Sequence, residues 1–266
     1  MCEPLAVEGP LTIYDAEKLR NPTLVLAYAG WNDAAESATM AARSLLDGLS
    51  MDRYACLDTE TYLDLTVVRP HVKLSSESGR EIVWPNHEFF AARLSGAESD
   101  LLVGLGVEPH LRWKAYTQNI LELVQVAGVA RVILLGAYLD DVIYSQPVQV
   151  GVYSIAPEFS VHVQALRSSY EGPTGIVGVL AQVLQAAHVP TASFWARIPH
   201  YVPAKPNARA ALALLQELQS VAEFGLDLSQ LESEAAKFDE RVSDLIEADP
   251  ELQAYVRELK RRVFSS

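Results

Sequence analysis

Cysteine is scarce in this sequence: Cys2 and Cys56 are the only two among 266 residues. They form no CxxC pair and no spacing typical of metal ligands. A disulfide framework is therefore excluded, and we expect both thiols to be reduced and structural, as is usual in the cytosol. The sequence predicts a cytoplasmic protein that binds no metal.

Long apolar runs and leader segments are also missing. No stretch reaches the roughly 20 consecutive apolar residues that a membrane-spanning helix needs. The start, Met1-Cys2-Glu3-Pro4, has no basic region followed by an apolar run, so we predict no signal peptide. Neither a membrane protein nor a secreted one is expected.

Positive charge is in short supply. The chain has 21 Lys and Arg against 34 Asp and Glu, which gives a formal net charge of -13. Nucleic acids and anionic membranes bind positive patches, so neither is an expected partner. Half of the residues are hydrophobic, so the chain can bury a core and global disorder is not expected.

Apolar runs of strand length alternate with amphipathic segments of helix length. The predicted strands are 23–28, 54–58, 100–106, 131–137, 148–154 and 192–198, and the predicted helices are 34–49, 112–127, 175–187 and 205–223. Residues 66–69 and 80–84 suggest a hairpin or a local meander. Central strands that are apolar on both faces are typical of a sheet covered by helices on both sides. The predicted class is α/β, with a strand order that the pattern leaves open.

The last 40 or so residues differ from the rest because they carry an apolar stripe at helical spacing. Pro250 interrupts the stripe, which then continues to Val263. We therefore predict an α/β/α core over 1–224 and a helical hairpin over 225–266. The hairpin packs on the core or contributes to an oligomer interface.

Two glycine-bearing turns that open predicted helices are candidate binding sites. They are Gly30-Trp31-Asn32-Asp33 and the group of Tyr170, Gly172, Pro173, Thr174 and Gly175. A helix N-terminus offers free N–H groups and a positive dipole end, which suit an anion. Neither turn matches GxGxxG or GxxxxGK[ST], so a structural turn with a helix cap is the alternative. Trp31 beside the cap suggests a pocket wall or an interface.

Further candidates follow other strands. Glu108 lies where α/β proteins place ligands, and it is a candidate general base, a helix cap or, with Trp113, part of a groove. Arg69 is a candidate carboxylate partner. His200, next to Tyr201, is the best acid–base candidate. No nucleophile accompanies it in a GxSxG elbow, and the other histidines show no HxH or HExxH spacing, so we assign no catalytic residue and no metal ligand.

Six segments occur in an order that resembles the proteasome assembly chaperone 2 family, in its actinobacterial form. They are AYAGWNDAAESAT, RP with a downstream IVWP, GVEPHLRW, VILLGAY, YEGPTGIVGVL and SFWARIPHYVPAKPNARAALALL. The resemblance runs from about residue 23 to the C-terminus. It implies a three-layer α/β/α sandwich similar to the purine nucleoside phosphorylase-like fold, a C-terminal helical extension and a homo-oligomer, with a trimer as the first expectation.

The resemblance also implies a function, because archaeal and eukaryotic relatives help proteasome subunits to assemble. Some dock through a C-terminal hydrophobic–tyrosine–any-residue tail, whereas this chain ends Arg262-Val263-Phe264-Ser265-Ser266. We therefore do not expect that mode of docking on proteasome subunits. The leading hypothesis is a non-catalytic protein-interaction or assembly factor without a cofactor. The alternative is a protein or enzyme that binds an anionic or nucleoside-like small molecule at the turns.

Overall fold

The computed structural model describes residues 5–6, 9–15, 17–75, 79–160, 166, 170–202, 204–222 and 224–264. Cys2 and the last two serines lie outside these residues. In chain order the elements are β1 (Leu5–Ala6), β2 (Leu11–Ile13), β3 (Thr23–Ala29), α1 (Ser37–Gly48), β4 (Asp52–Leu57), β5 (His71–Ser75), β6 (Gly79–Val83), β7 (His87–Ala92), β8 (Leu101–Val107), α2 (Trp113–Val126), β9 (Arg131–Asp140), β10 (Val150–Ser154), α3 (Pro157–Ser160), α4 (Ile176–Ala186), β11 (Thr191–Pro199), α5 (Ala208–Val221), α6 (Ser229–Ala248) and α7 (Pro250–Phe264).

The main sheet has nine strands in the order β1-β2-β4-β7-β8-β3-β9-β11-β10. Its four adjacent strands β8, β3, β9 and β11 run parallel, and the flanking strands pair antiparallel. The parallel strands are the continuous apolar runs of the sequence, because helices bury both of their faces. The predicted α/β class is confirmed.

Helices cover the two faces of the sheet in pairs. Alternate residues of β3 point to opposite faces: Val25 and Ala27 pack with α1 and α5, whereas Leu24 and Leu26 pack with α2 and α4. The predicted arrangement, a sheet with helices on both sides, is therefore confirmed. Within the described residues, no helix combines the length and the apolar character needed to cross a membrane.

The C-terminal helices pack on the α1 and α5 side. Phe238 and Val242 of α6 and Val256 of α7 belong to the same apolar cluster as those two helices. Pro250 begins α7, and the Asp249 side chain accepts hydrogen bonds from the Glu251 and Leu252 amides, which caps the new helix. The division at residue 224 stays a prediction, although these helices share a core with the rest of the chain.

The hairpin that follows β4 differs from the prediction. Residues 65–68 form a turn and a bend, in which Asp64 accepts hydrogen bonds from the amide and the hydroxyl of Thr66. The structure has no strand at 66–69, so the first predicted strand was wrong. The observed strands are β5 and β6, which pair with each other and form a separate two-stranded sheet. Strand β7 was not predicted, since His87 and Glu88 interrupt its apolar pattern.

Candidate functional site

The loops that follow β3 and β8 lie side by side and lead to helices on opposite faces of the sheet. Strands β3 and β8 are parallel neighbours, but β3 leads towards α1 on one face and β8 leads into α2 on the other. Adjacent strands whose connections diverge leave a crevice at their carboxyl ends, which is where open α/β sheets bind ligands. Gly30–Asp33 follow β3, and Glu108 follows β8.

Glu108 ties three loops together. Its Oε2 accepts a hydrogen bond from the Trp31 amide at 3.1 Å, and its Oε1 accepts bonds from Asn32 Nδ2 at 2.7 Å and from the Ile176 amide at 2.8 Å. We call this group of four residues the Glu108 clasp. The first glycine-bearing turn, the Glu108 loop and the start of α4 therefore converge, and the carboxylate is used by the protein itself.

Two glycines make this convergence sterically feasible. Gly30 has φ +138°, which L side chains rarely adopt, and a Cβ there would lie 3.0 Å from Glu108 Cβ. At Gly175, a Cβ would lie 2.3 Å from Asn32 Nδ2 and 2.4 Å from Asn32 Oδ1. Both glycines are thus needed for close packing around the clasp.

The N-terminus of α4 already faces a negative group. Gly175 is the N-cap residue of α4, and the Ile176 amide donates to Glu108. The carboxylate thereby stabilises the positive end of the helix dipole, which is the role expected of a bound anion. An external anion at the same amide would be repelled by the negative charge of Glu108. Anion binding at this turn stays a prediction, and this geometry does not favour it.

Asp33 acts as a cap for α1. Its Oδ1 accepts hydrogen bonds from the Ala38 amide at 2.6 Å and the Thr39 amide at 3.3 Å, and its Oδ2 accepts one from the Thr39 hydroxyl. Burial raises the pKa of the Asp33 carboxyl, and these hydrogen bonds oppose that rise. The side chain is committed to holding the start of the helix.

A long apolar groove runs beside α4. It lies over β9, β11 and β10, and its volume is about 1470 Å³. We call it the α4 groove. Its lining includes Trp31, Asn32, Tyr138, Tyr153, Ile155, Glu158, Leu166, Tyr170, Gly172, Pro173, Thr174, His188 and Trp195. The second glycine-bearing turn therefore contributes to one end of this groove.

Two aromatic side chains stand out at that end. Trp31 is 63% exposed and Tyr170 is 66% exposed, and the Tyr170 hydroxyl donates to the Pro173 carbonyl at 3.0 Å. Asn32 is buried beneath them, and its Oδ1 has no hydrogen-bond partner among the described residues. The amide orientation is fixed because Nδ2 faces the Glu108 carboxylate, which only accepts.

His200 and Tyr201 lie apart from the clasp. His200 Nε2 is 2.9 Å from the Tyr255 hydroxyl and 3.0 Å from Asp141 Oδ1, and the Tyr255 hydroxyl donates to Asp141 at 3.1 Å. The Tyr201 hydroxyl donates to the Val142 carbonyl at 3.0 Å. His200 and Asp141 are exposed and the two tyrosines are half-buried, and the group connects α7 to the end of β11. Burial and the hydrogen bond to Asp141 raise the pKa of Tyr255, which disfavours a phenolate nucleophile.

The remaining two candidates make separate contacts. The Trp113 indole Nε1 donates to the Pro109 carbonyl, which fastens the loop between Glu108 and α2. Arg69 is exposed and forms no ion pair within the described part of the chain. Neither residue contacts the clasp carboxylate in any described hydrogen bond.

A buried polar cluster beneath the crevice was not predicted. His87 is fully buried, its Nδ1 contacts the Tyr116 hydroxyl, and that hydroxyl lies 3.4 Å from the Tyr28 hydroxyl. Burial lowers the pKa of His87 to about 3. A Cβ on Gly106 would lie 2.8 Å from the His87 ring, so the glycine in the run LLVGLGV was the available signal. Among the described residues, no three His, Cys, Asp or Glu side chains are grouped as metal ligands.

Comparison with known proteins gives consistent matches. The model of the PAC2 family matches residues 27–246. A PAC2 family protein from Streptomyces avermitilis is 36% identical with a TM-score of 0.80, covering 88% of this chain and 99% of that one. A proteasome-assembly chaperone homologue from Mycobacterium tuberculosis is 32% identical with a TM-score of 0.78, at 88% and 99% coverage.

A more distant structure shares the fold. An archaeal proteasome activator from Pyrococcus furiosus is 17% identical with a TM-score of 0.71, covering 92% of this chain and 99% of that one. No curated protein matches the chain.

Proposed function

We propose that this chain, which belongs to the PAC2 family as its motifs predicted, is a non-catalytic protein-binding factor of the assembly-chaperone kind. It acts in the cytoplasm and works as a homo-oligomer. The names of its structural neighbours, a proteasome-assembly chaperone homologue and a proteasome activator, support a role in assembling other proteins.

The observation that carries the proposal is the use of Glu108. Both of its carboxylate oxygens bind loop donors at 3.1 Å or less, so the best-placed acid at the strand ends serves structure. A general base must instead be within reach of a substrate proton. The same contacts position Trp31 with its side chain exposed, and exposed tryptophans are frequent hot spots of protein interfaces.

The experiment is cross-linking capture of the tagged full chain from its native cells, with partners identified and quantified by mass spectrometry. We expect a defined protein partner with the wild type, and a loss of roughly 30-fold with Trp31→Ala, because a hot-spot tryptophan contributes about 2 kcal/mol. The matched control is Leu245→Ala on α6, which is also exposed and should retain the partner.

Two results would contradict the proposal. One is equal capture by wild type, Trp31→Ala and Leu245→Ala. The other is the absence of any partner, together with a nucleoside, phosphate or carboxylate that raises the melting temperature. The second result would favour the small-molecule alternative, which the buried Asn32 Oδ1 beside the groove supports.

A further inference from the structure

The β5–β6 hairpin has one apolar face that nothing in the described chain covers. Its register pairs Val72 with Ile82 and Leu74 with Arg80, so Val72, Leu74 and Ile82 lie on the same face. Leu74 is 88% exposed and Ile82 is 54% exposed. The opposite face carries the cross-strand pair Lys73 and Glu81. An isolated two-stranded hairpin is only marginally stable, and an exposed apolar face of this kind marks a contact site.

The α4 groove is another apolar surface that is open among the described residues. Ile155 in its wall is 60% exposed, and Leu166 and Trp195 line it as well. None of the described residues that line the groove is a lysine or an arginine, whereas Glu158 is one of them. The groove therefore suits an apolar segment that carries positive charge.

The hairpin has that character. Arg80 shares the apolar face, and Lys73 lies on the other face opposite Glu81. The described residues 69–75 and 79–84 include three basic side chains and one acidic one. Charge and hydrophobicity of the two surfaces are thus complementary.

The described part of the hairpin is separated from the groove of the same chain. The hairpin connects β4 to β7, whereas the groove lies on β9, β11 and β10, and strands β8 and β3 separate the two groups in the sheet. None of the described residues of the hairpin lines the groove. A projecting surface on one flank and a matching recess on the other suit a head-to-tail contact between copies, which closes into a ring when the rotation permits.

We propose that the β5–β6 hairpin of one copy of this chain inserts its Val72, Leu74 and Ile82 face into the α4 groove of a second copy. The contact deepens the homo-oligomer in the proposed function and rests on it, but it does not depend on the identity of the partner protein. Pairing of two hairpins, or binding of a different protein, are the other ways to cover these surfaces.

The test is the oligomeric mass of the full chain, measured by light scattering after size exclusion at micromolar concentration. Wild type should be a closed oligomer, and Leu74→Asp and Ile155→Asp should each be monomeric. Mixing the two variants should give a 1:1 dimer, because one copy keeps an intact groove and the other keeps an intact hairpin. Leu111→Asp, at another exposed apolar residue, should match wild type.

The remaining outcomes would overturn the contact. A monomeric wild type would indicate that a different protein covers the two surfaces. Loss of assembly with Leu74→Asp but not with Ile155→Asp would indicate that two hairpins pair with each other. Failure of the mixed variants to associate also excludes it. Ile82→Asp provides a second hairpin variant, and unchanged circular dichroism confirms folding. A monomeric wild type contradicts the homo-oligomer of the proposed function as well, whereas an oligomeric wild type whose variants fail these tests contradicts this contact alone. Partner capture is a separate measurement.

Discussion

The Glu108 clasp and the β5–β6 hairpin differ in whether their side chains find partners within the chain. The clasp joins residues that are 68 to 77 positions apart in the chain, and each carboxylate oxygen finds donors inside the protein. The hairpin joins adjacent segments, and its apolar face meets solvent. The hydrogen bonds of the clasp are thus completed within one chain, whereas the apolar face of the hairpin is left for the second copy that we propose.

Glu108→Ala should give the largest effect on the stability of the chain. It removes a charged acceptor from three N–H donors, so we expect the free energy of unfolding to fall by about 3 kcal/mol. Urea unfolding measures it. Glu81→Ala on the hairpin is the matched control and should change the same quantity by less than about 0.5 kcal/mol. Equal effects of the two variants would abolish the distinction between the two regions.

The buried histidine below the clasp predicts a pH dependence. The unfolded chain binds a proton at His87 near pH 6.5, but the folded chain does so only near pH 3. Between these two pH values only the unfolded chain is protonated at this residue. The free energy of unfolding is therefore highest above about pH 6.5 and falls as the pH drops towards 3. Between pH 7 and pH 5 the loss is about 2 kcal/mol.

The measurement is urea unfolding of wild type and His87→Gln at pH 7, 6 and 5. His87→Gln should be less stable at pH 7 because its packing against Phe89 is altered, and it should lose about 2 kcal/mol less than wild type on acidification. The two proteins differ only at residue 87, so the difference between their curves reports on His87. If the free energy of unfolding fell in parallel with pH for the two proteins, His87 would bind its proton as readily in the folded chain as in the unfolded one.

Leu74→Ser should have the smallest effect when no second copy is bound. In the Ile155→Asp background, which we expect to be monomeric, it should change the free energy of unfolding by less than about 0.5 kcal/mol, because Leu74 is 88% exposed. In the otherwise wild-type chain, the same change should weaken the oligomer and lower the melting temperature. An equal loss in both backgrounds would place Leu74 in an intramolecular contact.

The central sheet was predictable because its signal is local. Strands β3, β8, β9 and β11 are short apolar runs that are buried on both faces, so composition alone identifies them. The two glycine-bearing turns were also evident, since each precedes a helix. Strand order was not predictable, because pairing of β3 with both β8 and β9 depends on packing between distant segments.

The chemistry of the site was not predictable for the same reason. Glu108 was expected to act as a base, to cap the nearby helix or, with Trp113, to line a groove, but its amide partner Ile176 lies 68 residues away. Only the three-dimensional arrangement reveals that the carboxylate is already used. His87 carried no motif, and its burial follows from the pairing of β7 with β8.

The loop after β3 is held at several points besides Glu108. The Asn32 carbonyl accepts a hydrogen bond from the Ala137 amide at 2.8 Å, and the Asp33 amide donates to the Gly30 carbonyl at 3.1 Å. Trp31 is therefore displayed on a backbone whose conformational entropy was lost during folding, at a cost of about 1–2 kcal/mol per residue. A partner that binds this indole does not have to order the loop, so more of the contact energy is retained as affinity.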